Sequence, residues 1–142
     1  PIAAAHMPTA SRARLKDLMA GREWIWVTGN HDRDIPESLG GSVTGEAAFG
    51  PIIFRHEALA VSGGAEISGH FHPKATVLAR GKSVTRPCFI YDAQRVILPA
   101  FGAYTGGLNV NDAAIAAQFG GSFGVALLGR HKLHWFTSAA LA

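Results

Sequence analysis

The stretch Trp24-Ile25-Trp26-Val27-Thr28-Gly29-Asn30-His31-Asp32 constrains this chain most. An apolar, β-prone run ends in a glycine and then delivers an amide, an imidazole and a carboxylate in succession. That is how a strand leaves a sheet and presents polar side chains at its end, where ligands of open α/β sheets sit. Two other stretches have a similar form. His56 follows the apolar run Ile52-Ile53-Phe54-Arg55, and Ser68-Gly69-His70-Phe71-His72-Pro73 sets two histidines after a glycine. Four of the seven histidines therefore lie at or just after expected strand ends, a pattern that points to a metal site.

A divalent ion is held by neutral imidazole nitrogens and hard oxygens. His70 and His72 lie two apart, so in an extended segment both rings share one face. Pro73 biases His72 towards that extended form, and Gly69 supplies the sharp turn. His56 and Asn30 offer further ligands, Asn30 through its amide oxygen. A histidine beside a carboxylate, as in His31-Asp32, is suited to handing a proton to a departing oxygen. Taken singly, each motif has a plainer explanation: a surface His-x-His, a polar strand-end histidine, a Gly-Asn turn. Their joint, ordered occurrence favours the metal. His131 and His134, in an expected hairpin, read as structural. Arg33 and Arg55 lie near the cluster and are equally suited to holding a phosphate or to a solvated surface.

The 142 residues suit one domain, 1–142, with residues 1–8 unstructured or tag-derived and native sequence beginning at Met7. Apolar residues make up 48% against 16% charged, enough for a core. No apolar run is long enough to cross a membrane and no signal-peptide pattern is present. The lone Cys88, within an apolar stretch, fits a buried inert thiol and a cytoplasmic setting. The formal charge of +3, carried mostly by arginine, mildly favours an anionic, phosphate-bearing substrate.

The pattern predicts a helix from Thr9 or Ser11, either of which can cap it, to Ala20, and a short one over Asn111–Phe119. Leu15, Leu18 and Met19 share one face of the first. Pro36 is expected to open one helical turn. Strands are expected at Glu23–Thr28, Ser42–Ala48, Pro51–His56, Ala65–Ser68, Thr76–Arg80, Pro87–Tyr91, Val96–Pro99, Val125–Leu128 and Leu133–Phe136. Tight turns fall at 92–95 and 129–132. The glycine-rich Phe101–Asn109 is not a P-loop and reads as a turn or as the flank of the cleft, the turn being favoured. The sum is a sheet-rich α/β layered fold.

Gly29-Asn30-His31-Asp32, His56 and Gly69-His70-Phe71-His72 resemble the later motifs of the calcineurin-like metallophosphoesterases. More narrowly, Gly69–Ala75 and Leu98–Val110 resemble the bacterial ligase-associated DNA-damage-response phosphoesterases, described as endonucleases. The likeness runs from about Leu15 to Trp135. It implies an αββα sandwich with metal ions between facing sheets. Asn30, His56 and His70 would be ligands of one ion and His72 of the other. His31 would stabilise charge or protonate the leaving group, and Asp32 would orient it. Mn²⁺ is the implied metal, with Zn²⁺, Fe²⁺ and Mg²⁺ as alternatives. The reaction would be phosphodiester hydrolysis by a metal-activated hydroxide, with nucleic acid as substrate and a DNA ligase or helicase of a repair operon as partner.

The Asp-x-His and Gly-Asp motifs with which that family begins are not found here. The chain is thus expected to match the C-terminal portion, lacking N-terminal strands and one bridging carboxylate. Weak metal binding, low turnover and a homodimer formed through the exposed sheet edge are the corresponding expectations. Two other readings stay open. One is a non-catalytic module docking to a ligase or helicase; the other is a mononuclear hydrolase using His56, His70 and His72.

Overall fold

A computed structural model describes residues 7–30, 35–59, 64–102 and 105–141. Helix α1 (Thr9–Met19) opens the chain and is followed by strand β1 (Ile25–Val27). Then come β2 (Ser42–Thr44), β3 (Glu46–Phe49), β4 (Ile52–Arg55), β5 (Ala65–Ser68), β6 (Lys74–Ala79), β7 (Lys82–Tyr91) and β8 (Arg95–Ile97). Helix α2 (Ala113–Ala116) precedes β9 (Gly124–Leu128) and β10 (Leu133–Thr137). The strands form two sheets. β1 and β2 pair in parallel, and the other eight run in the order β10-β9-β7-β8-β5-β4-β3, with β6 hydrogen-bonded to β7 beside that path. The expected sheet-rich, metallophosphoesterase-like α/β architecture is what the chain adopts.

Several local expectations change in instructive ways. The single strand expected over Ser42–Ala48 is two. β2 belongs to the small sheet and β3 to the edge of the large one, so the chain crosses between sheets at Gly45. The Thr44 hydroxyl donates to Glu46 O at 2.7 Å across that crossing. Neither Thr9 nor Ser11 caps α1: Pro8 occupies the cap position and no side chain bonds there. No residue of α1 is buried, and Leu18 is 60% exposed. Asp112 does cap α2, accepting from the Ala114 N–H at 2.9 Å. Both expected turns form, closed by Asp92 N–H to Arg95 O at 3.0 Å and Gly129 N–H to Lys132 O at 3.0 Å.

The expected β7 doubles in length towards its start. Lys82 pairs with Ala79 across Arg80-Gly81, both at positive φ (52° and 74°), the signature of a type I′ hairpin. From Lys82 to Pro87 the strand pairs with β6; from Cys88 to Tyr91 it pairs with β9. Pro87, which has no N–H to donate, lies at this change of partner.

The main core gathers Phe71, Ala75, Val77, Cys88, Ile90, Ile97, Val110, Ile115, Val125 and Leu127 in one cluster. Burial pushes the Cys88 thiol from its ordinary 9.0 up to about 12. The folded state therefore keeps a proton that the unfolded chain loses above pH 9, so this group's effect on stability falls from there towards pH 12. Native Cys88 should resist iodoacetamide at pH 8 and react only at the rate of global unfolding, read by mass spectrometry across a urea series.

β4, β5 and β8 run parallel side by side, in the register Arg55↔Ser68 and Glu66↔Arg95. Glu66 is fully buried; Arg55 Nη1 approaches its Oε2 at 3.2 Å and Arg95 Nε its Oε1 at 3.0 Å. Arg95 also donates to the Gln118 and Leu59 carbonyls, while Arg55 reaches Glu46 at 3.4 Å. Arg55 is thus a buried structural cation, neither solvated nor free to hold a phosphate, which corrects both of its readings. Because loss of one partner strands buried charge, Glu66→Gln should lower unfolding free energy by about 3–5 kcal/mol in urea titration.

Candidate metal centre

Since β4 and β5 are parallel neighbours in register, their carboxyl ends emerge side by side. His56 follows directly on β4 and His70 lies two residues beyond β5. The Gly69 N–H donates to His56 O at 2.9 Å and locks the two exits together. Asn30 arrives from the other sheet, three residues beyond β1. The Thr28 N–H bonds Thr44 O at 2.9 Å just before it.

The three side chains meet. His56 Nε2 lies 2.7 Å from Asn30 Oδ1 and 3.1 Å from His70 Nδ1, with the two rings at 75°. With the amide oxygen turned inward, the three atoms converge on one place, and which of them donates depends on the histidine tautomers. A cation in their midst would satisfy all three, and an amide oxygen with two imidazoles is a donor set suited to a borderline or hard divalent ion. Glu57, next to His56, places Oε1 3.7 Å from His70 Nε2. That is ion-pair range and sets a carboxylate beside the ring nitrogen on the far side from the His56 contact, the place from which outer partners orient a ligating imidazole. Among the described residues, no three His, Cys, Asp or Glu side chains form a ligand group by themselves; Asn30 completes the trio.

Two glycines make the approach possible. A Cβ on Gly29 would fall onto the His56 ring, 2.6 Å from its Cγ, and one on Gly107 would fall onto the His72 carbonyl oxygen. The glycine-rich loop therefore flanks the cleft, against the turn reading favoured for it. Thr105, Gly106, Gly107 and Leu108 line a cleft of about 570 Å³ together with Asn30, His56, His70 and His72. Glu57 and Gly107 are the members sequence reasoning passed over. The carboxylate adjoining His56 was the available signal for the first.

The histidine pair does not sit as the pattern predicts. His70 (φ 63°) and His72 (φ 48°) are both left-handed, not extended, and Gly69 has no positive φ. Pro73 does not hold His72 extended. The conformation is imposed by Phe71, whose N–H bonds Gly69 O at 2.8 Å and whose carbonyl accepts from Leu108 N–H at 3.1 Å. Side chains at positive φ cost of order 1–3 kcal/mol each, and such residues cluster at functional sites. His72 lines the same cleft and a second one beside it. His31, Asp32 and Arg33 lie outside the described residues. His131 and His134 line none of these clefts.

Fold and cluster together define a sheet-rich α/β protein with a metallophosphoesterase-like fold and a three-donor cluster where the two sheets meet. One solved structure similar to it is the Pseudomonas putida nuclease MPE, at 27% sequence identity and a TM-score of 0.66. The match covers 93% of this chain and 64% of that one, so the chain spans less than two thirds of the nuclease structure. No protein-family model and no curated protein matches the sequence. Among the described residues no helix is long and apolar enough to cross a membrane.

Gly29→Ala should drive the His56 ring out of contact with Asn30 and His70. Long-range ¹H–¹⁵N spectra of the imidazoles would then show altered tautomer signals for His56 and His70, with the fold retained by circular dichroism.

Proposed function

We propose that this chain carries part of the active centre of a divalent-metal-dependent phosphoesterase that hydrolyses phosphodiester bonds of nucleic acid. The observation that carries the reading is the convergence of Asn30 Oδ1, His56 Nε2 and His70 Nδ1 in one open cleft. The similarity to a nuclease structure supports the substrate class. The resemblance of Gly69–Ala75 and Leu98–Val110 to the ligase-associated family supports DNA and a repair setting, with a ligase or helicase as partner.

In this reading Asn30, His56 and His70 would hold one ion, Mn²⁺ first among the candidates, and His72, which lines the same cleft, would be a ligand of a second. A divalent ion supplies charge neutralisation at phosphorus and acidifies water. The remaining chemistry falls to the chain itself. Glu57 orients the His70 ring. Gly29 and Gly107 keep the cleft narrow enough for the ligands to meet. By the family resemblance, His31 would deliver a proton to the departing oxygen and Asp32 would be its orienting partner.

Calorimetric titration with Mn²⁺ should show saturable uptake at this site. His70→Ala should abolish it, and Glu57→Gln should weaken it about tenfold. Inorganic phosphate should bind the Mn²⁺-loaded protein and not the metal-free one. Absence of saturable uptake by the unmodified chain would overturn the proposal.

A further inference from the structure

The 25 residues between Glu66 and Asp92 contain no carboxylate, yet carry Lys74, Arg80, Lys82 and Arg86. All four cations belong to the β6–β7 hairpin. Its outer half, Leu78 through Ser83, is exposed, so Arg80 and Lys82 stand at a tip projecting into water. At its base, Lys74, Thr85 and Arg86 line a second cleft of about 330 Å³ with His72 and Thr105. His72 and Thr105 also line the cleft of the candidate metal centre, so the two adjoin. Lys74 Nζ donates to Thr105 O at 3.5 Å, which aligns the lysine along the shared wall. Between base and tip, the Thr76 and Thr85 hydroxyls bond each other at 2.8 Å on an exposed face.

We infer that this hairpin and the cleft at its foot form a track for the phosphodiester backbone of a nucleic-acid strand, leading away from the candidate metal centre. The inference rests on the function proposed above and adds to it a binding surface. A six-residue strand spans about 20 Å, room for several successive backbone phosphates. Cations and hydroxyls with no intervening carboxylate are the groups that bind such a backbone without reading bases. Lysine on an edge strand also deters strand pairing. That purpose does not require basic residues on both strands and in the cleft below.

The experiment is fluorescence anisotropy of a labelled 20-nucleotide single-stranded DNA in EDTA, over a salt series, with the full chain. Arg80→Glu/Lys82→Glu/Arg86→Glu should lose at least about tenfold in affinity and flatten the log K against log salt slope by about 2, near 0.7 per lost phosphate contact. The glutamine version of the same triple variant should move both in the same direction by less. A charge-matched control, Arg14→Glu/Lys16→Glu/Lys132→Glu, should stay within about twofold of the unaltered chain. Equal losses in both glutamate variants, or no loss in the hairpin variant, would overturn the track. Mn²⁺ uptake is read separately. DNA binding that depends on the hairpin in a protein taking up no Mn²⁺ sinks the phosphoesterase reading and leaves the track standing; the reverse pattern does the opposite.

Discussion

Glu66, fully buried between Arg55 and Arg95, is the contact on which the geometry of the large sheet depends. The three residues come from three adjacent parallel strands, so the ion cluster spans the middle of the sheet. Buried charges of this kind add little net stability when paired and cost several kcal/mol when unpaired. Their effect is to specify the arrangement. A one-residue slip of β4 or β8 would turn an arginine to the opposite face and leave the carboxylate without its partner. Strands held in that register end level with one another, and His56 and His70 stand side by side for that reason.

The site then depends on what is missing as much as on what is present. Gly29 and Gly107 lack the one carbon that would separate His56 from its neighbours or push the His72 carbonyl aside. The two left-handed histidines are held by backbone hydrogen bonds through Phe71, with the strand's extended geometry given up to bring the rings inward. Strain at His70 and His72 is offset by a core in which Phe71 is itself a member. The outcome is a meeting of three potential ligand atoms, Asn30 Oδ1, His56 Nε2 and His70 Nδ1, within hydrogen-bond distance.

Much of this was legible in the residues, and the exceptions have causes. Ala65–Ser68 has the bounds expected of it, and the two turns and the Asp112 cap follow from short-range chemistry. The division of Ser42–Ala48 was hidden because the two halves are separated by Gly45 alone; only the crossing between sheets sets them apart. Lys82–Arg86 was missed because a solvated hairpin strand needs no apolar alternation. Arg-Gly is also a weaker turn signal than Asn-Gly. Arg55 looked like a surface charge because its partners, Glu46 and Glu66, are 9 and 11 positions away on other strands. The rings of His56, His70 and Asn30's amide were identifiable as a set, but the backbone that delivers His70 is fixed by Leu108 through Phe71, a contact no local pattern encodes.

The seam between the sheets has a thermodynamic corollary. Asn30 belongs to the two-stranded sheet, while His56 and His70 belong to the large one. Any ligand gripped by all three is therefore linked by mass action to the docking of the small sheet. At a hundredfold excess over its dissociation constant, such a ligand stabilises the docked arrangement by about 2.7 kcal/mol. The β1–β2 pair would then have amide exchange that slows with ligand concentration, while the centre of the large sheet, already pinned by its ion cluster, would exchange at a rate nearly independent of it.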